Sequence, residues 1–96
     1  MSLLDDAKKL FTAHSKVRRR FAAKLFKELP KVGRSKVTNI LVNAALVHSQ
    51  GFEWKPMVKI AYNKSLGKKR LIYQEVLTWS DKDLDTFARE VSKHDR

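Results

Sequence analysis

The stretch SKVTNILVNAALVHSQG, residues 35 to 51, decides the fold. Ser35 is a good helix N-cap and Gly51 a good terminator, so the sequence predicts a helix from about Ser35 to Ser49. Apolar side chains surround this helix almost completely. The narrow polar strip that remains consists of Lys36, Asn39, Asn43 and Gln50. A helix of this composition belongs at the centre of a domain.

Upstream of this helix, apolar residues recur at steps of three or four from Leu3 to Leu29. The pattern predicts either one long helix or two shorter ones, the second capped by Ser15, and the usual helix length favours two. Pro30 ends the pattern, and we expect Gly33 to loosen the connection that follows. The first half of the chain is therefore predicted to hold three helices.

Downstream, the spacing of the apolar residues changes from about 3.6 residues, as in a helix, to about 2 residues, as in a strand. Apolar residues, many of them β-branched or aromatic, recur at every second position within 58–62, 71–73 and 77–79. Residues 63–69 have the composition of a turn, so the pattern predicts a β-hairpin with a basic tip. A helix from Pro56 to Leu66 is the alternative that the same residues leave open.

The last predicted element is a helix capped by Ser80. Its first turn carries Asp81, Asp83 and Asp85, the charge that a helix N-terminus prefers. We expect its buried face to consist of Leu84, Phe87, Ala88 and Val91.

The order of these elements, which is helix, helix, short turn, helix and basic hairpin, resembles that of winged-helix domains. A further C-terminal helix is a usual addition in that family. The resemblance implies one α+β domain over residues 1–96, with the third helix as the reader of the DNA major groove. A shorter resemblance, of residues 33–46 to the ribbon-helix-helix repressors, conflicts with the helical pattern upstream.

Positive charge is concentrated in two blocks of a chain whose formal net charge is +11. Residues 16–36 hold nine Lys and Arg against the single acid Glu28, and residues 55–74 hold six with no acid. Such blocks favour a polyanionic partner. A nucleic-acid backbone is the commonest, because each neutralised phosphate releases condensed counterions.

We predict three groups of nucleic-acid-binding residues. The second helix supplies a basic stripe of Lys16, Arg20, Lys24, Lys27 and Lys31, and Arg18 beside it. The start of the central helix supplies Arg34, Ser35 and Lys36, and the bases would be contacted by Asn39 and Asn43. The hairpin tip supplies Lys64, Lys68, Lys69 and Arg70.

Catalytic and metal-binding patterns are absent from the sequence. There is no cysteine, and the three histidines His14, His48 and His94 are scattered. We therefore expect neither an enzyme nor a bound metal or cofactor. No apolar run approaches the roughly 20 residues that cross a bilayer, so we expect no membrane association and a cytoplasmic protein, or a nuclear one in a eukaryote.

The function that these features predict is DNA binding, as a transcription regulator or accessory factor, with duplex DNA favoured over RNA. The alternative is a small adaptor or inhibitor that binds an acidic surface of a nucleic-acid-processing protein. Homodimerisation remains open, since one chain offers one reading helix. Binding of single-stranded RNA would instead depend on bases stacking on Trp54 or Tyr62.

Overall fold

Residues 15–94 form a bundle of five helices in the computed structural model, which describes this part of the chain. Only the backbone is described for residues 15–18 and 94, and the first predicted helix, with His14, lies outside the described residues. The helices are α1 (Ser15–Lys27), α2 (Lys31–Ser49), α3 (Lys55–Lys64), α4 (Gly67–Val76) and α5 (Asp81–His94). Because residues 15–94 contain no strand, the predicted α+β, winged-helix-like class is wrong.

The predicted β-hairpin is instead the helix pair α3 and α4. Strand alternation required Val58, Ile60 and Tyr62 to share one buried face, yet Val58 is fully buried while Ile60 is 57% exposed. Helical spacing accounts for the burial of Ile72 and Val76 in α4. A two-stranded hairpin is marginal by itself, whereas each helix satisfies its own backbone and still buries one face. The helical alternative for residues 56–66 is therefore confirmed.

The central helix begins four residues earlier than its sequence predicts. Pro30, with φ −63° and ψ 159°, occupies the N-cap, and its carbonyl accepts from the Arg34 N–H at 2.9 Å to close the first turn. Ser35 is therefore not the cap, and Gly33 lies inside the helix rather than in a connection. Proline is compatible with this position because the first N–H groups of a helix have no intrahelical partner.

The predicted helix ends are confirmed where a glycine or a serine sets them. Gly51 has φ +87°, and its N–H donates to the His48 carbonyl at 2.9 Å while the Phe52 N–H donates to Val47 at 3.2 Å. These two bonds close α2 in a Schellman motif. At the start of α5, the Asp83 N–H donates to Ser80 Oγ at 3.2 Å.

The core forms where the five helices turn their apolar faces toward one another. The most extensive packing joins α2 to α5, followed by α1 to α4 and α3 to α4. All four residues predicted for the buried face of α5 are buried: Leu84, Phe87, Ala88 and Val91. Trp79 meets Phe87 edge to face, with ring centroids 5.1 Å apart. Between residues 15 and 94, no helix is long and apolar enough to cross a bilayer.

Trp54 ties the loop between α2 and α3 to the start of α5. Its ring is only 2% exposed, and its Nε1 donates to Asp81 Oδ1 at 2.7 Å. A hydrogen bond to a charged group contributes about 1.5–3 kcal/mol. The indole therefore fixes both the apolar packing and the position of α5 relative to α3.

Gly33→Ala should stabilise the protein by about 0.5–1 kcal/mol, because a helical glycine costs more chain entropy on folding than alanine. A Cβ at Gly33 would lie 3.6 Å from Leu29 Cβ and 3.7 Å from Pro30 Cδ, which is ordinary contact. The measurement is urea unfolding of both proteins. Gly51→Ala is the control, and its positive φ predicts destabilisation. A loss of stability in Gly33→Ala would contradict the position of α2.

Alkaline pH should weaken the fold through Tyr73. This side chain is buried, and its burial raises the pKa of the hydroxyl from 10.0 to about 12. The folded state therefore holds the proton more tightly, so the stabilisation is complete below pH 10 and is lost as the pH rises toward 12. Urea unfolding at several pH values should show this decline in the wild type and in Tyr62→Phe. An equal decline in Tyr73→Phe would contradict the assignment.

Candidate nucleic-acid interface

The exposed face of α1 carries cations along the described part of the predicted stripe. Arg20, Lys24 and Lys27 are all exposed, whereas Ala22 and Phe26 on the opposite side are buried. The backbone of Lys16 and Arg18 belongs to α1, but their side chains lie outside what is described. Phe21, which the sequence placed on the buried side, is half exposed. Helical amphipathicity therefore presents three adjacent cations to solvent.

Two arginines of the first basic block serve the fold rather than the exposed surface. The Arg19 guanidinium lies 3.6 Å from Asp83 Oδ1, and both side chains are mostly buried. Arg34 Nη1 donates to the Leu29 carbonyl at 2.7 Å, which holds the α1–α2 connection. Both arginines are therefore engaged inside the domain. Arg34 was predicted to bind phosphate, and the structure gives it this internal partner.

The outer face of α2 holds the residues that the sequence assigned to base contacts. Lys36, Asn39 and Asn43 are exposed and lie within one side of the helix. None of them forms a hydrogen bond or ion pair with another residue of the described part. Ser35 is half-buried in the second turn. Within residues 19–93, no hydrogen bond or ion pair joins this face of α2 to the cations of α1.

The second basic block surrounds a tight turn between two helices. Lys64 is the last residue of α3, and Lys68, Lys69 and Arg70 follow in the first turn of α4. The turn is fixed by Gly67, whose φ is +65°. The four predicted residues of the hairpin tip therefore remain together, although the element that carries them is helical.

Tyr62 connects the cations of α3 and α4. Lys59 Nζ lies 4.9 Å from the centre of its ring, and the Arg70 guanidinium lies 4.5 Å from it. Arg70 also donates from Nη2 to the Tyr62 hydroxyl at 3.3 Å. A ring quadrupole attracts cations in this position, so Tyr62 holds two positive side chains close together. We name Lys59, Tyr62 and Arg70 the tyrosine clamp.

The two basic blocks meet where α1 ends and α4 begins. Lys68 Nζ lies 3.1 Å from Glu28 Oε2, and α1 packs along α4. Both partners are about half exposed, so the ion pair itself adds little stability. Its geometry shows that cations more than 30 positions apart in the sequence occupy neighbouring helices. We name this region, with Lys24, Lys27, Lys31 and Lys64 to Arg70, the basic joint.

Three helices begin with the charge that a helix N-terminus disfavours, and two of them, α2 and α4, begin at the basic joint. α2, α3 and α4 each start with Lys or Gly-Lys, without an acid in the first turn and without a side-chain cap. A cation in that position is unfavourable by about 0.3–1 kcal/mol. By contrast, α5 begins with Asp81 and Asp83 under the Ser80 cap. The dipoles of α2 and α4 therefore add to the positive potential at the basic joint, whereas α3 begins beside Asp81.

Sequence reasoning missed the roles of Tyr62 and Glu28. A helical reading of residues 56–66 places Lys59 and Tyr62 three positions apart, which is the spacing of neighbours on a helix. The strand reading concealed that pair. Nothing in the sequence indicated that Glu28 would meet Lys68, because this contact depends on how α1 packs against α4.

Comparison of the chain with protein-family models, with curated proteins and with solved structures found no match. The functional argument therefore depends on the residues and geometry of the chain itself.

Glu28→Gln should strengthen binding to a polyanion, because the substitution removes the acid that occupies Lys68. The measurement is the salt concentration at which the protein elutes from a heparin column. Glu53→Gln provides the matched control, since it makes the same charge change at an exposed residue outside the basic joint. We expect Glu28→Gln to elute later than both the wild type and this control. Equal elution of the two variants would remove Lys68 from the binding surface.

Proposed function

We propose that the protein binds the phosphate backbone of duplex DNA through the basic joint. The observation that carries this proposal is the meeting of the two basic blocks at the Lys68–Glu28 contact, beside the packed pair α1 and α4. Cations on two neighbouring helices are suited to a charged chain. The protein would act as a regulator or accessory factor in DNA transactions, in the cytoplasm or, in a eukaryote, the nucleus.

The energetic basis of binding is counterion release. The free cations of the basic joint form no ion pair with an acid among residues 19–93, and they are Lys24, Lys27, Lys31, Lys64 and Lys69. Each phosphate that a lysine neutralises releases condensed counterions, whatever the base sequence. Five such contacts predict a slope of about −4.5 in a plot of log affinity against log salt concentration.

The two aromatic residues that the sequence offered for base stacking, Trp54 and Tyr62, favour a duplex over a single strand. Stacking of splayed bases requires an open aromatic face. Trp54 is buried and bonded to Asp81, while cations lie close to the Tyr62 ring. Neither ring therefore offers the platform that single-stranded RNA binding would use. The backbone of a duplex remains the ligand that the cations suit best.

Base reading by Lys36, Asn39 and Asn43 is a secondary part of the proposal. All three are exposed on α2, and an Asn amide can bond bidentately to adenine in a major groove. With these contacts the protein would prefer particular sequences, and without them it would bind duplexes uniformly.

Removing cations from either half of the basic joint should flatten the salt dependence of duplex binding. Lys24→Ala with Lys27→Ala removes two phosphate contacts on α1, and Lys64→Ala with Lys69→Ala removes two at the turn between α3 and α4. Each pair should lower the magnitude of the slope by about 1.8. The measurement is fluorescence anisotropy of a labelled duplex at several salt concentrations.

The matched control for both pairs is Lys82→Ala with Lys93→Ala, which removes the same charge from exposed positions on α5. We expect its slope to equal that of the wild type. A change in only one of the first two variants would show that the blocks do not form one surface. An equal loss of slope in all three variants would show that the effect depends on net charge alone. Absence of duplex binding at low salt would overturn the proposal in favour of an acidic protein partner.

A further inference from the structure

Leu66 lies at the turn of the basic joint and is the most exposed large apolar residue among those whose side chains are described. Its side chain is 78% exposed, and it belongs to no part of the core. Lys64 precedes it and Lys68 follows it closely, both exposed. Gly67, with φ +65°, fixes the turn on which it stands. The leucine is therefore held on a short connection between two packed helices.

A leucine at position 66 is less favourable for the stability of α4 than a capping residue would be. It occupies the N-cap of α4, with φ −130° and ψ 161°, and caps nothing. Ser, Thr, Asn and Asp are strongly preferred there because their side chains accept a free backbone N–H, whereas Leu is among the least suitable residues. A leucine that is exposed at the end of a helix contributes neither burial nor a cap. Residues that break a local rule without a structural return mark functional positions.

We propose that Leu66 is a wedge that inserts between base steps from the minor groove and kinks the duplex. This inference rests on the proposed function. Apolar wedges in the minor groove unstack one step and bend the duplex by roughly 20–90°. Insertion requires an apolar side chain that projects from a rigid turn, with cations beside it to hold the adjacent phosphates. Leu66, with Lys64 and Lys68 on either side, has this arrangement.

The charge of the region favours a nucleic acid over an anionic membrane. Interfacial helices bury a broad apolar face in the lipid. The main apolar faces of α3 and α4 are instead turned into the core, where Val58, Ile72, Tyr73 and Val76 are buried. Ile60 and Leu71 are also exposed on these helices, but Leu66 is the apolar residue that stands at the turn between Lys64 and Lys68, and this position suits a gap between two base pairs better than a lipid surface.

The test is energy transfer between dyes at the two ends of a duplex of about 20 base pairs. The wild type should bring the ends closer together on binding. Leu66→Ala should leave the duplex straight and lower affinity about tenfold, because the buried apolar area is lost. Its salt slope should match that of the wild type, since the phosphate contacts remain. Leu46→Ala is the matched control, because Leu46 is also exposed (55%) but lies on α2.

Leu66→Ser separates the wedge from any structural role. Serine supplies the missing cap, so this variant should melt at a higher temperature than the wild type and yet fail to bend DNA. A wild type that binds duplex with the expected slope but leaves it straight would overturn the wedge and leave the proposed function intact. A wild type that binds no duplex would overturn both. Vesicles of phosphatidylserine and phosphatidylcholine test the membrane alternative. The wedge proposal is wrong if Leu66→Ala weakens binding to these vesicles but leaves duplex bending unchanged.

Discussion

The packing of α1 against α4 is the contact on which the rest of the surface depends. The apolar faces of these helices are buried, so the cations on their outer sides are brought together whether or not they repel. Hydrophobic burial contributes about 25 cal/mol per Å² of apolar area, and a few exposed like charges in water cost much less than the burial of several large side chains gains. The charge cluster is thus imposed by the core, and Glu28 relieves it at one point.

The charge of the first turn matches the helix dipole at the start of α5 and opposes it at the starts of three other helices. At α5, a capping serine and two aspartates satisfy the helix N-terminus in the way that stability alone would select. At α2, α3 and α4, the caps are absent and lysines occupy the first turns. Two of these three helix starts, those of α2 and α4, lie at the basic joint, and the third, that of α3, lies beside Asp81. The two at the basic joint support the proposal that this surface binds a ligand.

Sequence reasoning succeeded where a local interaction determines the structure. Ser80 and Gly51 set helix ends through bonds within a few residues, and the buried face of α5 follows from helical spacing alone. It failed in residues 56–79, because β-branched and aromatic residues at alternate positions suit a strand as well as a helix. The choice depended on which side chains the other helices would cover, and Ile60 was not among them. The winged-helix analogy was wrong because it depended on that choice.

The same distinction between local interactions and tertiary packing explains how much of the candidate site could be predicted from the sequence. Both basic blocks could be read from composition, since charge is a property of the residues themselves. Three features could not be read from composition: the meeting of the blocks through Lys68 and Glu28, the tyrosine clamp, and the internal hydrogen bond of Arg34. Each of them joins residues whose approach depends on tertiary packing or on the helical reading of residues 56–66.

The crowding of lysines at the basic joint has a consequence for the folded state in the absence of a partner. Their mutual repulsion is a strain that dissolved ions screen within about 10 Å at an ionic strength of 0.1 M. Added salt should therefore raise the melting temperature of the free protein, whereas the same salt would weaken the polyanion binding proposed above. A polyanion bound to the basic joint, as proposed, would screen the same repulsion and stabilise the folded state.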